Sequence, residues 1–303
     1  MDTVFTLQDL RDWNRPGTSL AVLGHPIKHS LSPAMHNAAL AEMARADPRF
    51  ADWRYHRFDI LPDALPDALE LLHRKKFLGL NLTVPHKTLA FDRVAGIDPA
   101  ARPVGAINTL HWTPAGWRGH NTDGHGLAAA IRETLARELA GAPVVLLGAG
   151  GAARAAAVEC LRRRCASLWI ANRTRAHLDT LLAALRPLAA AGTIPLHGFD
   201  PAAPPADIPV AALVINATSA GLRDSDPAPF DLARLARRPA GVFDMIYNPP
   251  QTRLLAQAAA LGLPAVNGLA MLVHQGVRAL EIWTGQPPPI EPMRRAAGKI
   301  RQT

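Results

Sequence analysis

Five apolar residues, Pro143-Val144-Val145-Leu146-Leu147, run straight into Gly148-Ala149-Gly150-Gly151-Ala152-Ala153, and few folds accommodate that junction. A run this short reads as a buried strand, and the alanine-rich stretch behind the glycines is a strong helix former. The glycines therefore sit at a strand-to-helix turn, in the context a G-x-G-x-x-G/A dinucleotide fingerprint requires. The first two permit a tight turn and close backbone approach, and the free N–H groups of the helix start can meet a pyrophosphate. Gly148, Ala149, Gly150, Gly151 and Ala152 are thus candidate cofactor contacts.

The next strand, near Ser167–Ala171, selects the dinucleotide. An NAD site usually ends that strand in a carboxylate that bonds the ribose 2′-hydroxyl. Here it ends in Asn172-Arg173-Thr174-Arg175, and no acid follows until Asp179. Arg173 can pair with a 2′-phosphate while Asn172 and Thr174 add hydrogen bonds. The pattern predicts NADP.

Similar alternation extends both ways. On the N-terminal side, strands are predicted at Ser19–Gly24, Trp53–Ile60, Leu78–Val84 and Ala106–Trp112, with a return through Trp117 to His120. Helices fall between them: Pro33 to about Met43, with Ser32 as N-cap, then Asp63–Phe77 and His86–Val94. Asn121-Thr122-Asp123-Gly124 interrupts the pattern before a helix to Leu139. Beyond the glycine turn, strands are predicted near Thr193–His197, Ala211–Asn216 and Gly241–Ile246. One long helix runs from after Val266 to about Thr284, and a short helix follows Pro287–Pro289. Two α/β domains with parallel-rich sheets follow from this order, as does a length of 303 residues.

Net charge is +8, with a pI near 10.3. The arginines are scattered, and no stretch alternates basic with aromatic residues, which argues against nucleic acid and for anionic small molecules. Cys160 and Cys165 are the only cysteines, five apart in one predicted helix, so neither a disulfide framework nor structural zinc is expected. No histidine spacing suggests a metal. Met1 to Asn14 lacks an apolar signal-peptide core, and the longest uncharged run, Leu254 to Val277, is broken by Pro264 and several glycines. A cytoplasmic chain with no membrane span is the expectation.

In Asn81-Leu82-Thr83-Val84-Pro85-His86-Lys87, Asn81 and Thr83 share strand parity, Pro85 ends pairing, and Lys87 sits at the strand-to-helix corner. Two readings stand: a strand edge with a solvated lysine, or a small polar pocket with a proton carrier at its lip. The lysines are only Lys28, Lys75, Lys76, Lys87 and Lys299, against 33 basic residues in all. Unlike arginine, a desolvated lysine can give up its proton near neutrality.

Together these residues resemble the shikimate dehydrogenase family. The matching motifs run in family order from Gly24 to Gly285: Gly24–Asn37 (GHPIKHSLSPAMHN), Asn81–Lys87, Ala106–Leu110 and Gly119–Gly124. The glycine turn, Asn172–Thr174, Asp244–Pro249 (DMIYNP) and Gly268–Gln275 (GLAMLVHQ) complete the set. The resemblance implies that Ser30 and Ser32 hold a substrate carboxylate, that Thr83, Asn108 and Gln275 bond its hydroxyls, and that Tyr247 borders it. It implies Lys87 and Asp123 as the catalytic pair, Asp123 also touching substrate, and Met245 and Gly268 along the nicotinamide. Two positions depart from the family pattern: His177 stands where relatives often carry Lys or Arg, and Ala270 replaces a common glycine.

On this reading, residues 1–123 plus 267–303 form an open, mostly parallel α/β substrate-binding domain, and 124–266 a Rossmann NADP-binding domain. The implied reaction is NADP-dependent reduction of 3-dehydroshikimate to shikimate, in chorismate and aromatic amino acid biosynthesis. The expected state is monomer or homodimer. A quinate dehydrogenase using NAD, or a non-catalytic dinucleotide sensor, are the alternatives.

Overall fold

A computed structural model describes residues 3–223 and 225–299; residues 1–2 and 300–303, the outermost ends of the two spans assigned to the substrate domain, lie outside them. The chain divides into two compact units, Met1–Thr122 with Val273–Thr303, and Asp123–Leu272.

The first unit holds β1 (Val4–Phe5), α1 (Leu7–Arg11), β2 (Ser19–Gly24), α2 (Ser32–Ala46), β3 (Arg54–Asp59), α3 (Leu65–Arg74), β4 (Gly79–Leu82), α4 (His86–Leu89), β5 (Gly96–Ile97), β6 (Thr109–Thr113) and β7 (Gly116–His120). Its sheet runs β1-β3-β2-β4-β6-β7-β5. The first four strands in this order are parallel, whereas β6 is antiparallel to both β4 and β7. Strand β3 shows period-two alternation. His56 and Phe58 face an aromatic cluster with Phe5, Trp13 and Phe77, closed by Leu10 of α1 and by Leu69 and Leu72 of α3. Tyr55, Arg57 and Asp59 therefore occupy the opposite face.

The second unit contains α5 (Asp123–Leu135), β8 (Pro143–Leu147), α6 (Gly151–Arg162), β9 (Ser167–Ala171), α7 (Arg175–Gly192), β10 (Leu196–Phe199), β11 (Leu213–Asn216), β12 (Gly241–Asp244), α8 (Arg253–Ala260) and β13 (Ala265–Asn267). Its strands form a wholly parallel sheet in the order β10-β9-β8-β11-β12-β13. Parallel strands are covered on both faces, which is why β8, β9, β11 and β12 read as unbroken apolar runs. On one face Val145, Val214 and Val242 pack with Leu254 and Ala258 of α8. Helix α9 (Leu269–Thr284) leads back into the first unit, where α10 (Ile290–Lys299) packs on α2. No helix among the described residues is long and apolar enough to cross a membrane.

Several boundaries differ from expectation. The 63–77 helix is a 3₁₀ turn, Pro62–Ala64, followed by α3, because Pro66 sits in the helix's first turn. The 86–94 helix breaks after Leu89 into a second 3₁₀ turn, Phe91–Arg93. Thr193 is not in a strand: at φ +55° it caps α7. Cys165 lies beyond the end of α6, its N–H on the Cys160 carbonyl at 3.0 Å, and both thiols are free and buried.

Candidate active site and dinucleotide pocket

In the second unit, a cavity of about 630 Å³ opens over the C-terminal ends of β8, β9 and β11, where open parallel sheets bind their ligands. Gly148, Ala149, Gly150, Gly151 and Ala152 line it, with Asn172 and Arg173. Gly148 has φ +109°, and a side chain there would press on Thr218 and the Ala217 carbonyl. Gly150 precedes α6 in extended conformation, and a Cβ on Gly150 or Gly151 would meet no protein atom within 4 Å. Protein packing does not ask for glycine at these two positions. Open space over a bare helix start does fit a pyrophosphate.

At the end of β9, Arg175 is engaged by Asp179 at 2.9 Å. Arg173, exposed at the cavity's edge, has no ion pair among the described residues, so its guanidinium is left uncommitted there. Asn172 donates to the Thr174 carbonyl at 2.8 Å, bracing the turn. Thr174 itself is the residue before α7 and is not among the cavity's lining. Neither are Met245 and Gly268, which meet each other: a side chain on Gly268 would collide with the Met245 carbonyl. The 245–247 segment is set by Asp244, fully buried, whose carboxylate accepts from Thr252 Oγ1 (2.6 Å), Asn216 Nδ2 (2.9 Å) and the Ile246 N–H (3.0 Å). Burial raises its pKa, and the three donors oppose that rise. Tyr247, three residues beyond Asp244, is half-buried. Asp226 also lines the cavity, accepting from the Gly221 and Arg223 N–H groups at 3.1 and 3.0 Å.

In the first unit, backbone hydrogen bonds draw three of the predicted motifs together. The His25 N–H reaches the Val84 carbonyl (3.1 Å), Thr83 N–H the Leu23 carbonyl (2.9 Å), Leu82 N–H the Asn108 carbonyl (2.8 Å) and Ile107 N–H the Lys87 carbonyl (2.9 Å). The serine loop, Thr83, Lys87 and Asn108 thus share one neighbourhood. Lys87 is half-buried in the short helix α4, just after the buried His86, whose Nε2 meets the Ile60 carbonyl at 2.8 Å. Gln275 is half-buried on α9, beside Gly276, where α9 closes on Met35, His36 and Met293. Asp123 is half-buried as the first residue of α5.

Ser30 and Ser32 play different local parts from those expected. Helix α2 begins at Ser32, Leu31 holds the N-cap position, and no side chain caps it there. Ser30 supplies the hydroxyl oxygen that accepts from an N–H, that of Ser32, at 3.3 Å. Its lone pair is used and its proton is left to donate.

Asn81 and Thr83 do not act as one pocket face, because β4 ends at Leu82. Asn81 is buried in an internal network. It accepts from Tyr55 Oη (2.7 Å) and donates to the Asn108 carbonyl (3.1 Å) and Thr109 Oγ1 (3.0 Å). Next to it, Asn108 Oδ1 accepts from the Thr122 N–H (2.8 Å) and Thr109 Oγ1 (3.0 Å). With its Nδ2 donating to Thr122 Oγ1 (2.9 Å), the orientation of the Asn108 amide is fixed by its neighbours. Tyr55, Arg57, Asp59 and Asn216 are supporting residues outside the matched motifs, and Asp244 opens one of those motifs without having been given a role. Their shared parity on one strand was the one signal for the first three.

The substrate binding domain of shikimate dehydrogenase matches residues 22–110, and the shikimate 5′-dehydrogenase C-terminal domain matches 268–297. A shikimate dehydrogenase (NADP(+)) of Symbiobacterium thermophilum is 40% identical over 287 residues, 93% of this chain and 94% of that protein. Shikimate 5-dehydrogenase of Thermus thermophilus, crystallised with NADP(H) and shikimate, superposes with a TM-score of 0.77 at 33% identity, covering 93% of this chain and 99% of that one. The ligand-free 5-ketofructose reductase of Gluconobacter sp. strain CHM43 gives 0.81 at 31%, over 95% and 100%. Identity of 40% over nearly the full length of both chains, on the same fold, shows that this chain belongs to the shikimate dehydrogenase family.

Proposed function

We propose that this protein is an NADP-dependent shikimate dehydrogenase that reversibly reduces 3-dehydroshikimate to shikimate. The observation that carries the reading is near-full-length 40% identity to a relative of that name. The uncommitted Arg173 at the end of β9 supports the choice of NADP. In this reading residues 1–123 and 267–303 bind the substrate, and 124–266 bind NADP.

Ser30 and Ser32 hold the substrate carboxylate, with Ser30 as the donor described above. Thr83, Asn108 and Gln275 bond the ring hydroxyls, and Tyr247 borders the ring. Gly148 to Ala152 pass backbone N–H groups to the pyrophosphate, Asn172, Arg173 and Thr174 take the 2′-phosphate end, and Met245 and Gly268 lie along the nicotinamide. When bound, the reduced nicotinamide supplies a hydride to C3 of the substrate. Lys87, its charge shaped by Asp123, delivers the proton to the C3 oxygen and recovers it in the reverse direction. The enzyme works in the cytoplasm as a monomer or homodimer.

The test is absorbance at 340 nm with shikimate or quinate, each with NADP or NAD, and with 5-ketofructose and NADPH in the reductive direction. The expected result is turnover with shikimate and NADP far above every other pair. Preference for quinate with NAD, or for 5-ketofructose, overturns the substrate assignment. No turnover with any pair, despite dinucleotide binding, identifies a sensor.

A further inference from the structure

Arg57 has no place in the motifs, yet it reaches the centre of the serine loop. It lies on the face of β3 shared with Tyr55 and Asp59. The three side chains serve successive parts of one neighbourhood. Tyr55 bonds Asn81 (2.7 Å), and Asp59 holds the His25 ring (2.6 Å). Between them, Arg57 places one terminal nitrogen on the Lys28 carbonyl and the other on the Ser30 carbonyl, the latter at 3.0 Å. Ser30 is therefore pinned twice, by its carbonyl on Arg57 and by its hydroxyl oxygen on the Ser32 N–H.

The charge of Arg57 is the informative part. Its Nε is buried with no hydrogen-bond partner among the described residues. No carboxylate pairs with it among the described residues, and Asp59, two positions along the same face, is taken by His25. Two neutral carbonyls could be clamped by a neutral side chain. A half-buried cation with no counter-ion is costly unless an anion completes the arrangement. From Gly24 to Ser32 the loop carries no acid, and it exposes Lys28 and His29.

We propose that Arg57 is a positioning residue for the substrate carboxylate: its guanidinium clamps the Lys28–Ser30 turn and supplies the positive charge that the turn presents to an anion. This rests on the reading of Ser30 and Ser32 as carboxylate holders. The family motifs do not include it.

Steady-state kinetics of Arg57→Gln, Arg57→Lys and a Ser30→Ala/Ser32→Ala double variant test it, with shikimate varied at saturating NADP and the reverse. Arg57→Gln is expected to raise KM for shikimate about 10- to 100-fold, the scale of a hydrogen bond to a charged group. Its kcat should stay within about threefold and KM for NADP should be unchanged. Arg57→Lys, which keeps the charge but not the two-pronged grip, should fall between wild type and Arg57→Gln. Added salt should weaken kcat/KM for shikimate more steeply in wild type than in Arg57→Gln. A wild-type KM in Arg57→Gln, with the serine variant impaired, overturns the proposal alone. A wild-type KM in the serine variant overturns the carboxylate reading and this role with it. Parallel losses in kcat and both KM values would assign Arg57 a purely structural part and overturn it too. Should Arg57→Gln not fold, a wild-type KM in Arg57→Lys is the overturning result.

Discussion

His36 allows a stability prediction whose size follows from burial alone. Its ring, on α2, is fully buried and stacked on Tyr55 with centroids 4.2 Å apart and planes 5° from parallel. Neither ring nitrogen has a hydrogen-bond partner among the described residues. Burial, with no charged neighbour contributing, lowers its pKa from 6.5 to about 3. As pH falls, the unfolded chain takes up this proton first, so the neutral ring's contribution is present above pH 6.5 and is lost progressively toward pH 3. Linkage puts the loss between pH 7.5 and 5 at about 2 kcal/mol.

In His36→Leu, which fills similar space without titrating, that component should vanish. Urea midpoints at pH 7.5 and 5.0 measure it, provided the slope with denaturant is unchanged. Tryptophan fluorescence reports mainly on the first unit, since all the tryptophans but Trp169 lie there. Wild type should lose about 2 kcal/mol more than His36→Leu over this interval. Other histidines held down by burial, such as His56 at about 4, contribute equally to both proteins and cancel. Equal acid sensitivity in the two would refute the argument, as would an NMR titration of the His36 ring with a midpoint near 6.

Two further predictions concern chemistry. Lys87→Ala should lower kcat by about 10²–10⁴, the usual contribution of a positioned acid–base group, with little change in KM for shikimate. Wild-type turnover would remove Lys87 from the mechanism. Arg173→Ala should weaken NADP about 10- to 100-fold, as expected on losing a charge-assisted pair, and leave NAD nearly unaffected. Equal losses for the two dinucleotides would show that the 2′-phosphate is not read there.

The parts of the site that were legible are those whose partners lie close in sequence. The glycine turn needs only the strand before it and the helix after it, all within Pro143–Arg162, so its location over the sheet's C-terminal ends could be anticipated. The place of Arg173 beside the cavity was legible for the same reason, although only the structure showed that Asp179 occupies Arg175. Asn81 and Thr83 mark where such reading stops. Strand parity put them on one face, but β4 ends between them, and Asn81 spends its hydrogen bonds on Tyr55, Asn108 and Thr109, each more than 25 residues away. The two serines show the same limit at short range. Composition made Ser32 the cap, whereas the fold of the loop turned the Ser30 oxygen onto the backbone.

From the order of its residues alone, this chain's α/β class, its family and the position of its dinucleotide-binding turn follow, because apolar periodicity and glycine at a turn act over a few consecutive positions. Which polar groups are already occupied within the fold was decided only by tertiary structure. A hydrogen bond satisfies whichever partner the packed chain brings within about 3 Å, and for Tyr55, Arg57, Asn81 and Asp244 that partner comes from another strand or loop.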